Sequence, residues 1–455
     1  MMKTDTNRTR RALQWSTAAF AALTLFSGAS LAQGVAIATT TFHDENVFDI
    51  YAPTSDQLTQ VQLDAYTDWD FDQTSVTASY SGAAQIFRDL PARNYHVHLL
   101  SLQTLYHFEG SDDDEEQGPP PPPGGADSAS EGVHQAAVAA PAHSDSSDRF
   151  VYLTLAGAAQ FDRDEATDFG NPAVYDNSAF EASAAFREPI GPRVSLRPFY
   201  TFSYRVYPNI SVVSNLQHIA GVQLGSDALP NSWFAVTPAY SYKDYTGSST
   251  FTDTLSAFRV SQGHGKGFGG GKNPKVRQFV FTTPSVNQFS VSVLWKQTIA
   301  QGTDVTGEYT RFGNPSGEAR VISDQLRGAG PDRGAIGDFT GQNEIFDDHF
   351  AYSGDAYSLQ LNAALPLGLT IGARELIQVK TYTVPAMDLA DSLTLADHRN
   401  DHRYETTVAL ARPILLGEGK KLKPEMEFHY LRNNSNAPYY AFEKTIVLLG
   451  IAFEF

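Results

Sequence analysis

Cysteine is absent from all 455 residues. With no disulfide to staple it, the chain must be stabilised by packing or by a sheet closed on itself. Basic residues are also few, 33 Lys and Arg against 51 Asp and Glu, for a net charge of −18. That balance excludes the broad cationic surface a nucleic acid requires. Past the first segment no run of ~18 apolar residues occurs, which excludes a membrane-spanning helix. It does not exclude a spanning β-strand, which needs only ~9–11 residues with alternate positions apolar.

Aromatic residues are plentiful, with 29 Phe and 21 Tyr, and the sequence finishes "VLLGIAFEF". Such residues gain nothing at a frayed, solvated end. They make sense on a paired strand whose outer face meets something apolar. At the other end, residues 1–32 read as a secretory signal. Lys3, Arg8, Arg10 and Arg11 precede "AAFAALTLF", and the small residues Ala29, Ser30 and Ala32 place cleavage after Ala32.

Between these ends the pattern has period two almost everywhere. In 58–71, Val61, Leu63, Ala65, Thr67, Trp69 and Phe71 alternate with Gln60, Gln62, Asp64, Tyr66, Asp68 and Asp70. In 193–207, Val194, Leu196, Pro198, Tyr200, Phe202, Tyr204 and Val206 alternate with Arg193, Ser195, Arg197, Thr201, Ser203 and Arg205. A soluble sandwich would alternate too. These strands, however, often run a dozen residues or more against the usual ~5–6. They gather aromatics near their ends and carry charges mid-strand on the polar face, as a wet lumen would. Connections also alternate in length. "PLG", "AQG" and "PIGP" are short, whereas 246–275, 314–349 and "PAMDLADSLTLADHRN" are long. Short turns on one side and long loops on the other are the habit of outer-membrane barrels.

The closing residues carry a resemblance. Gly450, Phe453 and Phe455 in "LGIAFEF" resemble the C-terminal assembly signal of bacterial outer-membrane β-barrels, while Leu448 departs from its polar position. The resemblance is to the class and covers residues 34–455. It implies a location in the bacterial outer membrane, contact with lipid and lipopolysaccharide, and insertion by the barrel-assembly machinery.

The expected fold is therefore a closed antiparallel transmembrane barrel over 33–455. Sixteen strands are expected: 34–42, 57–71, 74–88, 94–108, 148–163, 177–190, 193–207, 215–227, 232–245, 277–298, 303–313, 350–365, 368–384, 401–414, 421–436 and 440–455. Fourteen follow if a weak segment such as 215–227 is not a strand. Residues 109–148 hold ten Asp and Glu, a run of five prolines and no Lys or Arg. The segment cannot bury enough apolar surface to order itself, and parity puts it on the short-turn, periplasmic side.

Asp64, Asp68 and Asp70 would face the lumen from one strand, Arg193, Arg197 and Arg205 from another, and Arg374 and Lys380 from a third. Acids on one wall and bases on another give a transverse field that orients dipolar solutes; interior ion pairing is the competing reading. Gly265, Gly267 and Gly270 match G-x-G-x-x-G without a strand-helix unit, and no cofactor is expected. His96 and His98 share a strand face without further ligand spacing. Ser101 beside His98 or His107, and His429 beside Glu427, are the pairs on which a wall or rim hydrolase would have to draw. The sequence thus reads as a porin-like channel for small hydrophilic solutes. The alternatives are an outer-membrane hydrolase and a structural or adhesive barrel plugged by loops 246–275 and 314–349.

Overall fold

The structure is a computed structural model that describes residues 34–45, 55–90, 94–108, 149–162, 177–208, 211, 214–246, 248–253, 277–282, 285–317, 350–387, 394–417, 420–437 and 440–455. Within these residues the chain forms a sheet that returns to its own first strand. Its members are β1 (Gly34–Asp44), β2 (Asp56–Phe71), β3 (Thr74–Phe87), β4 (Tyr95–His107), β5 (Phe150–Asp162), β6 (Asn177–Gly191), β7 (Val194–Val206) and β8 (Asn215–Ser226). They continue as β9 (Ser232–Tyr245), β10 (Val286–Ala300), β11 (Thr303–Gly313), β12 (Tyr352–Leu365), β13 (Leu369–Met387), β14 (Thr394–Ala411), β15 (Lys420–Ser435) and β16 (Phe442–Glu454). Each pairs antiparallel with its neighbour in sequence, and β1 pairs with both β2 and β16, so the ring of sixteen closes. Closure leaves the ring itself without an edge, as strands must be if they are to satisfy their main-chain groups in lipid.

The seam is main-chain paired to its last residue, with Val35 N–H donating to Phe455 O and Phe455 N–H to Val35 O, both at 3.0 Å. Above it the Lys444 ammonium meets Asp44 at 3.3 Å, both side chains buried. Four-residue Ile414–Gly417 pairs with the start of β15 and continues β14 past Pro413, which has no N–H for the ladder.

Two expected boundaries move. The segment expected as one strand over 277–298 divides. Arg277–Thr282 pairs with Ser248–Asp253 in a separate hairpin, and the barrel strand is Val286–Ala300. The sequence between the two pieces holds Pro284, and an unbroken alternation hid the division. The long loop expected over "PAMDLADSLTLADHRN" is largely strand, because β13 and β14 stay paired as far as Met387 and Thr394.

The two faces of the ring differ as the alternation requires. One bears Leu100, Leu153, Val293, Leu359 and Leu449, all more than a third exposed. The other bears shielded polar groups such as Gln60, Arg197, Lys243 and Glu405. Side chains on the concave side of a ring shield one another, so the polar face is the inside. Short turns gather at one end. Residues 72–73, 192–193 and 301–302 join β2–β3, β6–β7 and β10–β11. At the last of these Gly302 has φ +71°, and a Cβ there would meet Ala364 Cβ at 2.8 Å, so glycine fits where other residues strain. The 109–148 segment leaves from this same end, between Phe108 and Arg149, whose N–H and C=O are bonded at 3.1 Å. The signal at 1–32, the acidic segment itself and most of loops 246–275 and 314–349 lie outside the described residues.

Candidate functional site: the inner wall

The acidic wall stands on β2, and its neighbour β3 holds it in place. Asp64 accepts from Gln62 Nε2 at 2.8 and 3.0 Å and from Ser81 Oγ at 2.6 Å. Asp68 accepts from Thr77 Oγ1 at 2.6 Å. Gln60 donates to Gln62 at 3.0 Å and accepts from Gln85 at 3.3 Å, so a polar ladder climbs the strand. Asp70, opposite Ser75 on the same face, is exposed towards the short-turn end. Neutral donors thus orient Asp64 and Asp68.

The basic side is spread over two arcs. On β7, Arg197 and Arg205 point inward, joined by Arg187 of β6 and Lys243 of β9. Arg187 lies 5.6 Å from the Phe150 ring centroid, and Lys243 lies 5.0 and 5.9 Å from those of Tyr245 and Phe350. On β13, Lys380 sits 4.8 Å from the Tyr352 centroid, while Arg374 stands opposite Gln360 and Thr407. Arg187, Lys243 and Lys380 thus lean on aromatic faces.

Arg193 is the exception among the expected wall residues. It occupies the β6–β7 turn and donates to the Ala228 carbonyl at 3.0 Å, so it lies off the wall. The period-two phase runs on through a tight turn and conceals where the strand stops.

Next to the second arc, β14 and β15 neutralise themselves. Arg399 pairs with Asp401 and Arg403 with Glu405 at 2.7 Å, each two residues along one strand. Arg399 is also stacked between Tyr382 and Tyr440, 4.0 and 3.3 Å from their centroids. On β15, Lys423 meets Glu425 at 3.7 Å. The expected reading missed Arg187, Lys243, Arg399 and Arg403, although each falls on the inward phase of its strand.

At the end opposite the short turns, the inward positions become apolar. Phe42, Leu58, Phe87, Tyr95, Val97 and Leu448 form one buried cluster. Tyr245, Val286, Phe350, Ala351, Tyr352 and Tyr382 form another, roughly across the ring. Asp56 ties the chain over the first cluster by accepting from the amides of Asp89 and Leu90, both at 3.0 Å. Leu448 therefore occupies the polar place of the assembly pattern for a packing reason. Gly450 has one too, since a Cβ there would meet Glu425 Oε1 at 2.8 Å and Thr40 Oγ1 at 3.0 Å. Phe453 and Phe455 lie on the outward face with ring centroids 5.4 Å apart.

The pairs on which a hydrolase would draw separate. Ser101 and His98 lie on opposite faces of β4. Ser101 Oγ is 2.6 Å from Ser79 Oγ, and His98 Nδ1 is 2.9 Å from the Tyr80 hydroxyl. His107 packs beside Phe150. His429 does bridge two groups, with Nε2 2.8 Å from Glu427 Oε1 and Nδ1 3.1 Å from Thr407 Oγ1. Thr407 sits mid-ladder between β13 and β15, so its main chain does not provide the free amide pair of an acyl-transfer site. Among the described residues no group of three or more His, Asp or Glu is placed to hold a metal.

No family model and no curated protein matches the sequence. Among solved structures, that of Pseudomonas aeruginosa OccK3 (OpdO) is 10% identical, with 93% of this chain and 95% of that one covered and a TM-score of 0.39. P. aeruginosa OpdK with vanillate gives 10% identity, 93% and 98% coverage and a TM-score of 0.41. P. aeruginosa OccK8 (OprE) gives 8%, 94%, 98% and 0.41. Likeness this distant says nothing about a solute.

Proposed function

We propose that this protein is a bacterial outer-membrane channel through which small hydrophilic solutes diffuse passively. One observation carries the reading: a closed ring of sixteen strands is apolar and exposed outside, and charged or amide-lined inside. Rings of this size enclose an aqueous passage. Discrimination is then steric, at the apolar outer mouth, and electrostatic below it. Asp64 and Asp68 face a solute from one side, and Arg187, Arg197, Arg205 and Lys243 from the other, with Arg374 and Lys380 between. No bond is made or broken.

On the same reading the outward face meets lipid, and lipopolysaccharide at its upper rim. Gly450, Phe453 and Phe455 serve the assembly machinery, residues 1–32 are removed on export, and the acidic 109–148 segment projects into the periplasm. Reconstitution into planar bilayers tests the function. Steady ohmic conductance with a reproducible ion preference is expected. A silent membrane would sink the channel, and silence accompanied by lipid or peptide hydrolysis would favour a wall enzyme.

A second reading has its own support. Two inward apolar clusters stand at the end opposite the short turns, with Leu90 packed against the first and Phe350 within the second. A barrel closed at that level would be structural or adhesive, and it would conduct only after those side chains were cut back.

A further inference from the structure

Two cations of the inner wall stand face to face. The register of β6 and β7 sets Ala185 against Phe199 and Glu188 against Leu196, which puts Arg187 directly across from Arg197. Both side chains turn inward, 8% and 6% exposed, and the charge of Arg187 acts on Arg197. Flanking them in the same row are Phe150 of β5 and Gln223 of β8. Up and down β6 and β7 the next inward residues are Ala185, Pro189, Ser195 and Phe199, none of which carries charge. Farther along β7 the surroundings differ, because the Glu181 carboxylate acts on Arg205. Arg197 is three residues from Val194, the first residue of β7 at the short-turn end. At ~3.3 Å per residue and a tilt of ~40° the pair lies about 8 Å inside that end.

Like charges directly opposite one another destabilise a sheet. The use of such a pair lies in what it attracts. Each guanidinium is a planar fork of donors with no acceptor. A carboxylate, with one charge and a single pair of oxygens, is filled by one fork. A phosphate group brings nearly twice the charge and an additional oxygen, enough to meet both forks at once. We propose that Arg187 and Arg197 together hold the phosphate group of an anion inside the ring, as free phosphate or on a small monoester. The inference rests on the reading of the interior as an aqueous passage, and the experiment separates the two.

Thermal unfolding of the whole barrel, read from its heat-modifiable band, reports binding without any current. Inorganic phosphate is expected to raise the unfolding temperature of the parent above its value in acetate at equal ionic strength. Arg187→Gln and Arg197→Gln should each need about tenfold more phosphate for the same rise, since one fork and its charge are lost. Arg193→Gln, the same change in the turn off the wall, should respond as the parent does. Should a glutamine variant fail to fold in chloride, Arg197→Lys keeps the charge, loses the fork and should also respond less than the parent. Equal rises in acetate and phosphate would overturn the proposal, as would variants at 187 and 197 that respond like the parent. Glycerol 3-phosphate, set beside glycerol, separates the sources. A rise matching that of phosphate assigns the site to a phosphate-bearing solute, and no rise assigns it to the free ion. In planar bilayers, a silent membrane with the thermal response intact would sink the passage and leave the site. A conducting barrel whose unfolding ignores phosphate would sink the site and leave the passage.

Discussion

The acidic wall on β2 and the mixed wall on β14 use the same residue types to opposite ends. On β2 the carboxylates of Asp64 and Asp68 are held by Gln62, Ser81 and Thr77, none of which carries charge. On β14 each guanidinium meets a carboxylate two residues away. The first arrangement fixes geometry through neutral groups; the second fixes it through opposite charges. A charge counted from sequence therefore does not reveal what a passing ion feels. The nearest partner differs along the wall: Asp64 is held by Gln62 and Ser81, whereas Arg205 has the Glu181 carboxylate of β6 acting on it.

The comparison can be broken most forcefully at the seam, where a pair of the cancelling kind is buried. Asp44→Asn removes the carboxylate that Lys444 meets in a site 2% exposed. A loss of roughly 3–5 kcal/mol is expected, read as a lower unfolding temperature of the heat-modifiable band on a gel. Asp44→Asn with Lys444→Met should recover much of that loss. A variant as stable as the parent would contradict a desolvated pair.

Next in size, Asp64→Asn with Asp68→Asn should shift the cation-to-anion permeability ratio towards anions. One unit charge at ~4 Å in water is worth about 1 kcal/mol, roughly fivefold in that ratio. Arg187→Glu with Arg197→Glu should move it the other way. Both shifts should shrink as salt rises from 0.1 to 1 M and the screening length falls from about 10 to 3 Å. Unchanged reversal potentials would count against an open passage beside these walls. Smaller again, Arg403→Gln with Glu405→Gln should leave the ratio within about twofold, since the net charge of the wall does not change. The smallest effect is expected of Arg193→Glu, whose side chain is tied to the Ala228 carbonyl in the turn. A shift as large as that of the Arg197 variant would return Arg193 to the lumen.

The ring and its strand number were legible in the sequence, because period-two alternation runs through almost every strand. What hides is everything set by register. Nothing in "TASYSGA" says that Thr77 and Ser81 will meet Asp68 and Asp64; the two-residue turn at 72–73 decides it. The apolar clusters at the end opposite the short turns were equally hidden. Phe42, Leu58 and Phe87 fall on the polar phase of their strands, and a count of alternation treats each as an isolated fault. Only the closed ring brings those faults to one place. Glu375 is the converse, a polar residue on the apolar phase, visible as a fault and mute about its cause.

The bond between Phe108 and Arg149 pinches the chain where the acidic segment departs. That bond joins the two strand ends whatever the length of chain between them, and lengthening a connection adds only slowly to the entropy of closing it. An excised, doubled or foreign passage spliced there would hang from a cylinder otherwise unaltered, which makes the site a natural handle for anything a cell, or an experimenter, wishes to suspend beneath it.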